Sequence, residues 1–442
     1  MCPTKQGPTD DLPVVSVRPT LLRGAFRPLF LAAFLTSLTP GGSLGQEAAA
    51  GSVSDAVVNS SDPELAARAS AILADVEAWS GLEAISPVRV ETRSRRQLTD
   101  YLLSKLDTDM PPERAAAVAE AYRLFGLVPA DFDLRSTLLA VYREQVAGFY
   151  EPDSAALFLI ADQEEPMMKQ VLVHELVHAL QDQRIDLAAL IDSEETGTDR
   201  AAAAHAAIEG HAMVVTVISG APAMASNLGM IETVFGRMRS SMEAMVVSTS
   251  PELARAPRVV REPLVSSYVD GGIHVLRMWR EFGRDVEFDR LIPASTDQLL
   301  GAPLSDRPVE LELEIDGGET LYESQLGRRE LAILIDELLG EGWDGLAAGW
   351  GGDRFALVDG KGGRGLVWFL VADTPDDRDA IFEAIGDGAS ELGGPAEVTV
   401  REIDGHPGLE LRIGEFGGIE VGASVRKNEE GEGGAAGAGS AR

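Results

Sequence analysis

The sequence of 442 residues contains a single cysteine, Cys2. One cysteine excludes an intramolecular disulfide, and it excludes a thiolate nucleophile or a cysteine-ligated metal site unless Cys2 itself takes part. The chain is 45% apolar and 25% charged, which is typical of a folded protein rather than a disordered one. Its length is sufficient for two or three hydrophobic cores of ordinary size, which must therefore form without cross-links.

Positive charge is also scarce in this chain. It has 38 lysine and arginine residues against 71 aspartate and glutamate residues, which gives a formal net charge of -33 at pH 7. Because like charges repel, this balance argues against nucleic acid and against an anionic membrane surface as partners. The acidity is consistent with a role in solubility and indicates no particular substrate.

Long hydrophobic runs are missing as well, because the apolar stretch LFLAAFLTSL (29–38) is about half as long as a membrane-spanning helix requires. Arginines precede this stretch, the last of them Arg27, and the small residues Ser43 and Gly45 follow at positions typical of a cleavage site. We therefore predict a signal peptide at residues 1–45 and an exported protein, periplasmic or extracellular, with no stable membrane insertion after cleavage. The alternative is a disordered tail with a chance apolar patch.

Composition and periodicity divide the rest of the chain into four segments. Residues 46–62 are small and polar, which predicts a linker. Helical periodicity dominates residues 63–305, and a few short strand patterns predict a small β-sheet at the edge of this mainly helical domain. Residues 306–425 combine strand patterns with two helices, which predicts a small α/β domain with an antiparallel sheet. The glycine-rich tail at 426–442 has the composition of a disordered segment, and the fold class expected for the whole is α+β.

A β-hairpin is predicted in AGFYEPDSAALFLI (147–160), where two apolar runs flank the turn pair Pro152-Asp153. The second run, AALFLI (155–160), has two interpretations. It is either the edge strand on which an extended peptide pairs through main-chain hydrogen bonds, or an interior strand of the same sheet.

The most informative stretch is VLVHELVHAL (171–180), which contains the pattern H-E-x-x-H. Residues four apart lie on one face of a helix, so His174 and His178 can present imidazole nitrogens to one metal ion. Glu175 lies beside that face, within reach of a water molecule on the metal but not of the metal itself. The alternative is a helix that contains two histidines and a glutamate without a metal. Because burial of such groups is costly unless a ligand compensates, we favour the metal site.

A catalytic zinc site takes three protein ligands, so a third ligand has to come from outside this motif. The extended metzincin pattern is excluded, because Gln181 stands at its glycine and Arg184 at its last histidine. In the next predicted helix, about thirty residues after the motif, Glu209 occupies the position of a gluzincin ligand. His205, one turn earlier, is the alternative third ligand. Asp199 is a further alternative, although its spacing does not match that of an aspartate-ligand zincin.

Five segments of the chain form a constellation that extends beyond this motif. They are EQVAGFYEPDSAALFLI, HELVHALQDQ, AAIEGHA, PASTDQLL (293–300) and GWGGDRFAL (349–357). In this order they resemble a family of exported bacterial zinc metallopeptidases of gluzincin type, over roughly residues 95–390. The resemblance implies a zincin-like metallopeptidase domain at residues 63–305.

The resemblance also implies roles for individual residues. The implied ligands of one zinc ion per chain are His174, His178 and Glu209. Glu175 is then the general base. His211 departs from the family pattern, which has an acidic residue at this position, so the surroundings of the ligands are expected to differ. Asp297 replaces an expected glutamate conservatively.

A peptide or protein substrate is expected from these roles. Glu175 would take a proton from the zinc-bound water as it attacks a peptide carbonyl, and would pass that proton to the leaving amine. A hydrogen-bond donor from outside the motif helix would stabilise the oxyanion. The candidates are Tyr268 and His274 in SSYVDGGIHVL, and for each of them the alternative is an ordinary packing role.

Two other functions are compatible with the same residues. One is a catalytically silent binding or assembly module of the cell envelope that keeps the zincin fold. The intact Glu175 argues against such a module, because binding alone does not require a base. The other is a zinc hydrolase that cleaves a bond other than a peptide bond, since the same ligands support both reactions.

Overall fold

A computed structural model describes residues 30–31, 57–161, 165–192 and 197–426. For residues 30–31, 165–166, 240 and 242–248 only the backbone is described. The predicted signal peptide, apart from residues 30–31, lies outside the described residues. So do most of the predicted linker and all but the first residue of the predicted disordered tail.

The described chain is a mixture of helices and strands, which confirms the α+β class. The helices before residue 305 are α1 (Pro63–Ser80), α2 (Arg95–Asp109), α3 (Pro112–Leu124), α4 (Leu134–Gln145), α5 (Glu165–Asp182), α6 (Leu187–Leu190), α7 (Thr198–Gly220), α8 (Leu228–Thr249), α9 (Pro251–Arg255), α10 (Arg258–Phe282) and α11 (Thr296–Leu299). Two further helices, α12 (Gly327–Leu339) and α13 (Pro375–Asp387), belong to the C-terminal part.

A five-stranded sheet accompanies the first group of helices. Its strands are β1 (Phe30–Leu31), β2 (Val58–Asn59), β3 (Val88–Arg93), β4 (Gly148–Glu151) and β5 (Ala156–Ile160), in the spatial order β1-β4-β5-β3-β2. Strands β4 and β5 form the predicted hairpin. Strand β5 also pairs in parallel with β3, so it is an interior strand. The interior interpretation of the AALFLI segment is therefore correct, and the interpretation as an edge strand is wrong.

The C-terminal part contains the predicted antiparallel sheet. Its strands are β6 (Leu311–Asp316), β7 (Glu319–Ser324), β8 (Trp350–Gly360), β9 (Gly363–Ala372), β10 (Ala396–Ile403), β11 (His406–Ile413) and β12 (Glu420–Val425). Five of them form a sheet in the order β10-β11-β9-β8-β7, and every neighbouring pair is antiparallel. Strands β6 and β12 form a separate two-stranded sheet.

The hydrophobic core is continuous across the predicted domain boundary at residue 305. Phe125, at the end of α3, packs edge-on against two rings of the C-terminal sheet. Its ring centroid lies 5.2 Å from that of Phe355 and 5.7 Å from that of Trp368. The two predicted domains thus share one core.

Helix α5 carries the H-E-x-x-H motif and lies in the interior. Every residue from Val171 to Leu180 is buried, because β4, β5, α1 and α7 pack around the helix. The contact with the sheet requires a residue without a side chain at position 148. A Cβ atom on Gly148 would lie only 2.4 Å from Cγ1 of Val171.

Helices α7 and α10 approach each other through glycine and alanine. A Cβ atom on Gly210 would lie 2.0 Å from the carbonyl carbon of Gly271, and one on Gly271 would lie 1.7 Å from the carbonyl oxygen of Ala206. Both positions therefore require glycine. This contact fixes α7, which carries Glu209, against α10, which carries Tyr268.

Helix α7 is also the one helix, within the described residues, that is long and apolar enough to cross a membrane. Of its most apolar 18-residue stretch, 89% is buried inside the protein. Packing against α5 and α10 therefore accounts for its apolar sequence.

The GGDR segment (351–354) connects the C-terminal sheet to the start of α12. Asp353 is fully buried. It accepts four hydrogen bonds of 2.8–2.9 Å, from the backbone amides of Leu326 and Gly327 and from the indoles of Trp350 and Trp368. A carboxylate at a helix N-terminus satisfies amides that have no partner inside the helix. The segment therefore has a structural role.

The TDQL segment, which forms α11, joins the same helix start to α7. The backbone amide of Thr296 donates to Oδ2 of Asp199, 3.1 Å away, in the first turn of α7. Nη1 of Arg328 in α12 lies 2.7 Å from Oδ1 of Asp297. Buried polar contacts thus connect α7, α11 and α12, and Asp199 is part of these contacts.

We predict that Gly210→Ala destabilises the protein by about 1–3 kcal/mol, because the added methyl group forces α7 away from α10. The measurement is the free energy of unfolding in urea. Gly236→Ala in the exposed face of α8 is the control, since no described atom lies within 4 Å of its added Cβ. There, alanine should stabilise the helix by up to about 1 kcal/mol. Equal effects of the two substitutions would contradict the proposed contact.

Candidate metal centre

Two helices bring three metal-binding side chains together. His174 and His178 belong to α5, and Glu209 belongs to α7. Nε2 of His174 lies 3.0 Å from Oε2 of Glu209, and Nε2 of His178 lies 3.6 Å from the same oxygen. All three side chains are fully buried. Their ligand atoms lie within 4.8 Å of one another, so the group can hold a metal ion.

Burial and mutual contact set the protonation of this group. Burial lowers the pKa of His174, which keeps its ring neutral near neutral pH. Burial also opposes the charge of Glu209, but the neighbouring histidine rings outweigh this effect and hold its pKa well below the usual range. A neutral imidazole and an ionised carboxylate are the forms that bind metals.

A chain of hydrogen bonds fixes the orientation of the His178 ring. Nδ1 of His178 donates to Oε1 of Gln181, 2.7 Å away. Nε2 of Gln181 donates to the carbonyl oxygen of Ile208 and to Nδ1 of His211, each at 3.0 Å. Nε2 of His211 in turn donates to the carbonyl oxygen of Ser80 at 3.1 Å. Every donor meets an acceptor when His178 carries its proton on Nδ1, which leaves Nε2 to bind a metal.

His211 explains why a histidine can replace the acidic residue expected at this position. Burial lowers the pKa of His211 to about 4, so its ring is neutral and offers one donor and one acceptor. Nε2 of His211 donates to the Ser80 carbonyl, and Nδ1 of His211 accepts from the side-chain amide of Gln181. An ionised acidic residue would offer only acceptors. Trp279 and Phe288 enclose the ring, with centroids 5.5 and 5.4 Å away.

The positioning role of Gln181 is not identified from the sequence, where this residue only excludes the metzincin pattern. One signal was present, because Gln181 follows His178 by three residues and therefore lies on the same helical face. The partner on the other side, His211, is distant in the chain. Only the packing of α5 on α7 brings the two together.

The other two candidates for the third ligand lie beside the group or outside it. Nε2 of His205 lies 3.4 Å from Oε1 of Glu209, the oxygen that is not shared with the motif histidines. Within the described residues, the converging group consists of the two motif histidines and Glu209 and does not include His205. Asp199, in the first turn of α7, accepts a hydrogen bond from the backbone amide of Thr296 and lies outside the group. This arrangement favours Glu209 as the ligand and His205 as its neighbour.

Of the two candidate oxyanion donors in α10, one faces the centre. The ring of Tyr268 is buried, and its centroid lies 6.0 Å from that of His174. His274 instead donates from Nε2 to the carbonyl oxygen of Leu291 at 2.9 Å and accepts at Nδ1 from Arg277 at 3.0 Å. Both nitrogens of His274 are thus engaged with residues outside the centre.

Glu175 follows His174 on α5 and is fully buried. A carboxylate at this position of a metal site can accept a proton from water and deliver it to a leaving group. The centre therefore contains two imidazoles and a carboxylate that can hold a metal ion, a second carboxylate that could serve as a base, and a phenol close to the first histidine.

Comparisons of the chain with models of known protein families, with curated proteins and with solved structures gave no match. The residues of the centre and their geometry are therefore the basis for assigning a function.

We predict that Gln181→Met lowers the metal affinity of the centre by about 10–100-fold, because the His178 ring loses the acceptor that fixes it. The measurement is competition for the metal with a chromophoric chelator. Gln183→Met, two residues further along, is the matched control. Its side chain is half-buried and bonds to the backbone of Ile85 and Ser86 rather than to the centre, so this change should leave the affinity unchanged. If both variants bind metal as tightly as the unmodified protein, the hydrogen-bond chain has no role in metal binding.

Proposed function

We propose that the protein is a zinc metallopeptidase of gluzincin type. The observation that carries this proposal is the convergence of His174, His178 and Glu209 beside Glu175, with the His178 proton fixed on Nδ1. Two donors at about 2.0–2.1 Å from a tetrahedral zinc ion are about 3.3–3.4 Å apart. The separations of 3.0 and 3.6 Å between the histidine nitrogens and Oε2 of Glu209 bracket this value, so the donor set fits zinc.

Zinc in a site with three protein ligands activates water as a nucleophile near neutral pH and polarises a carbonyl oxygen. The protein supplies the proton transfers. Glu175 would accept the proton of the attacking water and would deliver it to the amine of the leaving group. Tyr268 would donate a hydrogen bond to the carbonyl oxygen as it becomes negatively charged.

The surroundings of the centre would assist these steps. Burial of Glu175 and of the ligands excludes bulk water, which strengthens the interaction of each charge with the reacting groups. The chain from His178 through Gln181 to the Ser80 carbonyl holds the ligand ring in place during proton transfer. A peptide or protein is the proposed substrate, and export through the predicted signal peptide is part of the same proposal.

Two alternatives use the same donor set. A non-enzymatic envelope module would bind the metal without needing Glu175. A zinc hydrolase of a non-peptide bond would need both the metal and Glu175. The intact and buried Glu175 favours hydrolysis over binding alone. Peptide bonds are favoured among the possible substrates because the ligand spacing matches the gluzincin pattern of the sequence.

We expect about one zinc ion per purified chain, largely lost in Glu209→Ala and retained in His205→Ala, because only Glu209 converges with both motif histidines. Metal content by mass spectrometry is the measurement. Zinc that stays in Glu209→Ala but leaves His205→Ala would make His205 the third ligand. No zinc in the unmodified protein after metal supplementation would contradict the proposed site.

We expect Glu175→Gln to keep its zinc and to cleave casein about 10²–10⁴-fold more slowly, because it loses the general base but no metal ligand. The unmodified protein should lose this activity with a chelator and regain it with zinc. A zinc-loaded protein that cleaves no unfolded protein would favour the binding module or another bond type.

We expect Tyr268→Phe to lower kcat by about 10²–10³-fold with zinc content unchanged, because only the hydroxyl donor is removed. The measurement is steady-state cleavage of a fluorogenic peptide. An unchanged kcat would show that Tyr268 packs against His174 without contacting the reacting oxygen.

A further inference from the structure

A cavity of about 200 Å³ lies beside the metal centre. His205 forms part of its wall, and Nε2 of His205 is 3.4 Å from Oε1 of the ligand Glu209. Pockets that hold a whole drug-sized ligand have volumes of about 300–1,000 Å³, whereas an apolar cavity of about 150 Å³ already binds benzene. The size therefore suits one side chain of a larger substrate.

Most of the cavity wall is apolar. Helices α3, α4, α7 and α10 contribute aliphatic side chains, among them Val118, Leu134, Leu138, Val259 and Leu264. Such a wall favours an aliphatic chain over a polar one, since each buried CH₂ group contributes about 0.8 kcal/mol.

The charged groups of the wall are unevenly paired. Arg329 is bound to Asp270, with Nη2 2.7 Å from Oδ2, and His205 contacts Glu209. The two carboxyl groups in the wall are those of the acids Glu330 and Asp199. Glu330 accepts a hydrogen bond from the hydroxyl of Tyr122 at 2.9 Å, and Asp199 accepts from Thr296. Neither acid forms an ion pair with a described residue.

Each acid accepts a hydrogen bond, but neither has a countercharge, and an apolar occupant would supply none. A cation would instead form a charge-assisted hydrogen bond with the carboxylate of Glu330. Wall and acids together thus select an occupant with an aliphatic stem and a positively charged end.

We propose that this cavity is the specificity pocket for a basic side chain of the substrate, lysine or arginine, with Glu330 as the partner of its cationic end. The assignment to a substrate side chain rests on the peptidase proposed above. The binding of the cation itself depends only on the cavity.

The charges around Glu330 support this assignment. Burial raises the pKa of Glu330 to about 8, against the effect of the Tyr122 hydroxyl, and Asp353 and Asp199 raise it further. Arg329 also lines the cavity but is paired with Asp270, and Tyr322 stays protonated because burial raises its pKa to about 12. The empty pocket therefore holds a neutral Glu330 at pH 7, and a bound cation should drive out its proton.

The first test is calorimetric titration with n-butylguanidinium and with its neutral isostere N-butylurea. We expect the cation to bind at least tenfold more tightly than the urea. Glu330→Gln should remove this preference: the affinity for n-butylguanidinium should fall at least tenfold, and the affinity for N-butylurea should stay the same. Glu337→Gln is the matched control, because it makes the same charge change at an exposed position of the same helix, α12, and should alter neither affinity.

A second measurement needs no variant and therefore holds even if Glu330→Gln fails to fold. At pH 7, n-butylguanidinium should release about one proton per chain, which appears as different heats in phosphate and Tris buffers. Its affinity should fall as the pH drops below 8, because Glu330 must then lose a proton before it can pair. Equal affinities of the two probes, or binding without proton release, would overturn the assignment of the pocket.

Peptide cleavage separates this proposal from the proposed function. A peptide with lysine should be cleaved with a kcat/KM at least tenfold higher than its norleucine analogue, and Glu330→Gln should abolish the difference. Cleavage without this preference, and without probe binding, would leave the peptidase intact and refute the basic pocket. Glu330-dependent probe binding without any cleavage would support the cation site and count against the peptidase.

Discussion

The contact of one carboxylate with the histidines of a neighbouring helix is the interaction on which the rest of this structure depends. Glu209 and the two motif histidines are fully buried, and so are the neighbouring polar side chains of Glu175, Gln181 and His211. Polar groups in such a place are tolerated only when each is hydrogen-bonded, paired or bound to a metal. The separation of α5 and α7 must therefore be held within a few tenths of an ångström.

Each helix of the centre is held in place by a different device. Gly148 lets the sheet pack directly on α5, and Gly210 lets α10 pack directly on α7. At the start of α7, Asp199 is bonded to α11. The C-terminal sheet contributes through Asp353, which binds the amides at the start of α12. Arg328 of α12 in turn pairs with Asp297 of α11. Segments distant in the sequence therefore supply both the converging side chains and the contacts that position them.

The sequence predicts what local patterns determine and misses what depends on distant pairing. Periodicity is sufficient for the helices, the hairpin and the His174–His178 face, because these involve neighbours in the chain. The interior position of β5 depends on parallel pairing with β3, more than sixty residues earlier, and no local pattern encodes it. The chain from His178 to Ser80 and the four donors to Asp353 are likewise contacts between distant segments. Tyr268 and His274 look equivalent in sequence, and they differ only because α10 presents one of them to the centre.

Helix α7 also relates the cavity to the centre. Asp199, His205 and Glu209 lie on this one helix, which therefore carries the contact with α11, part of the cavity wall and the candidate metal ligand. A charge that enters the cavity acts on Asp199 and on His205, and His205 touches the carboxylate that completes the ligand group. An occupant that displaces His205 would act on the carboxylate of Glu209 through this contact.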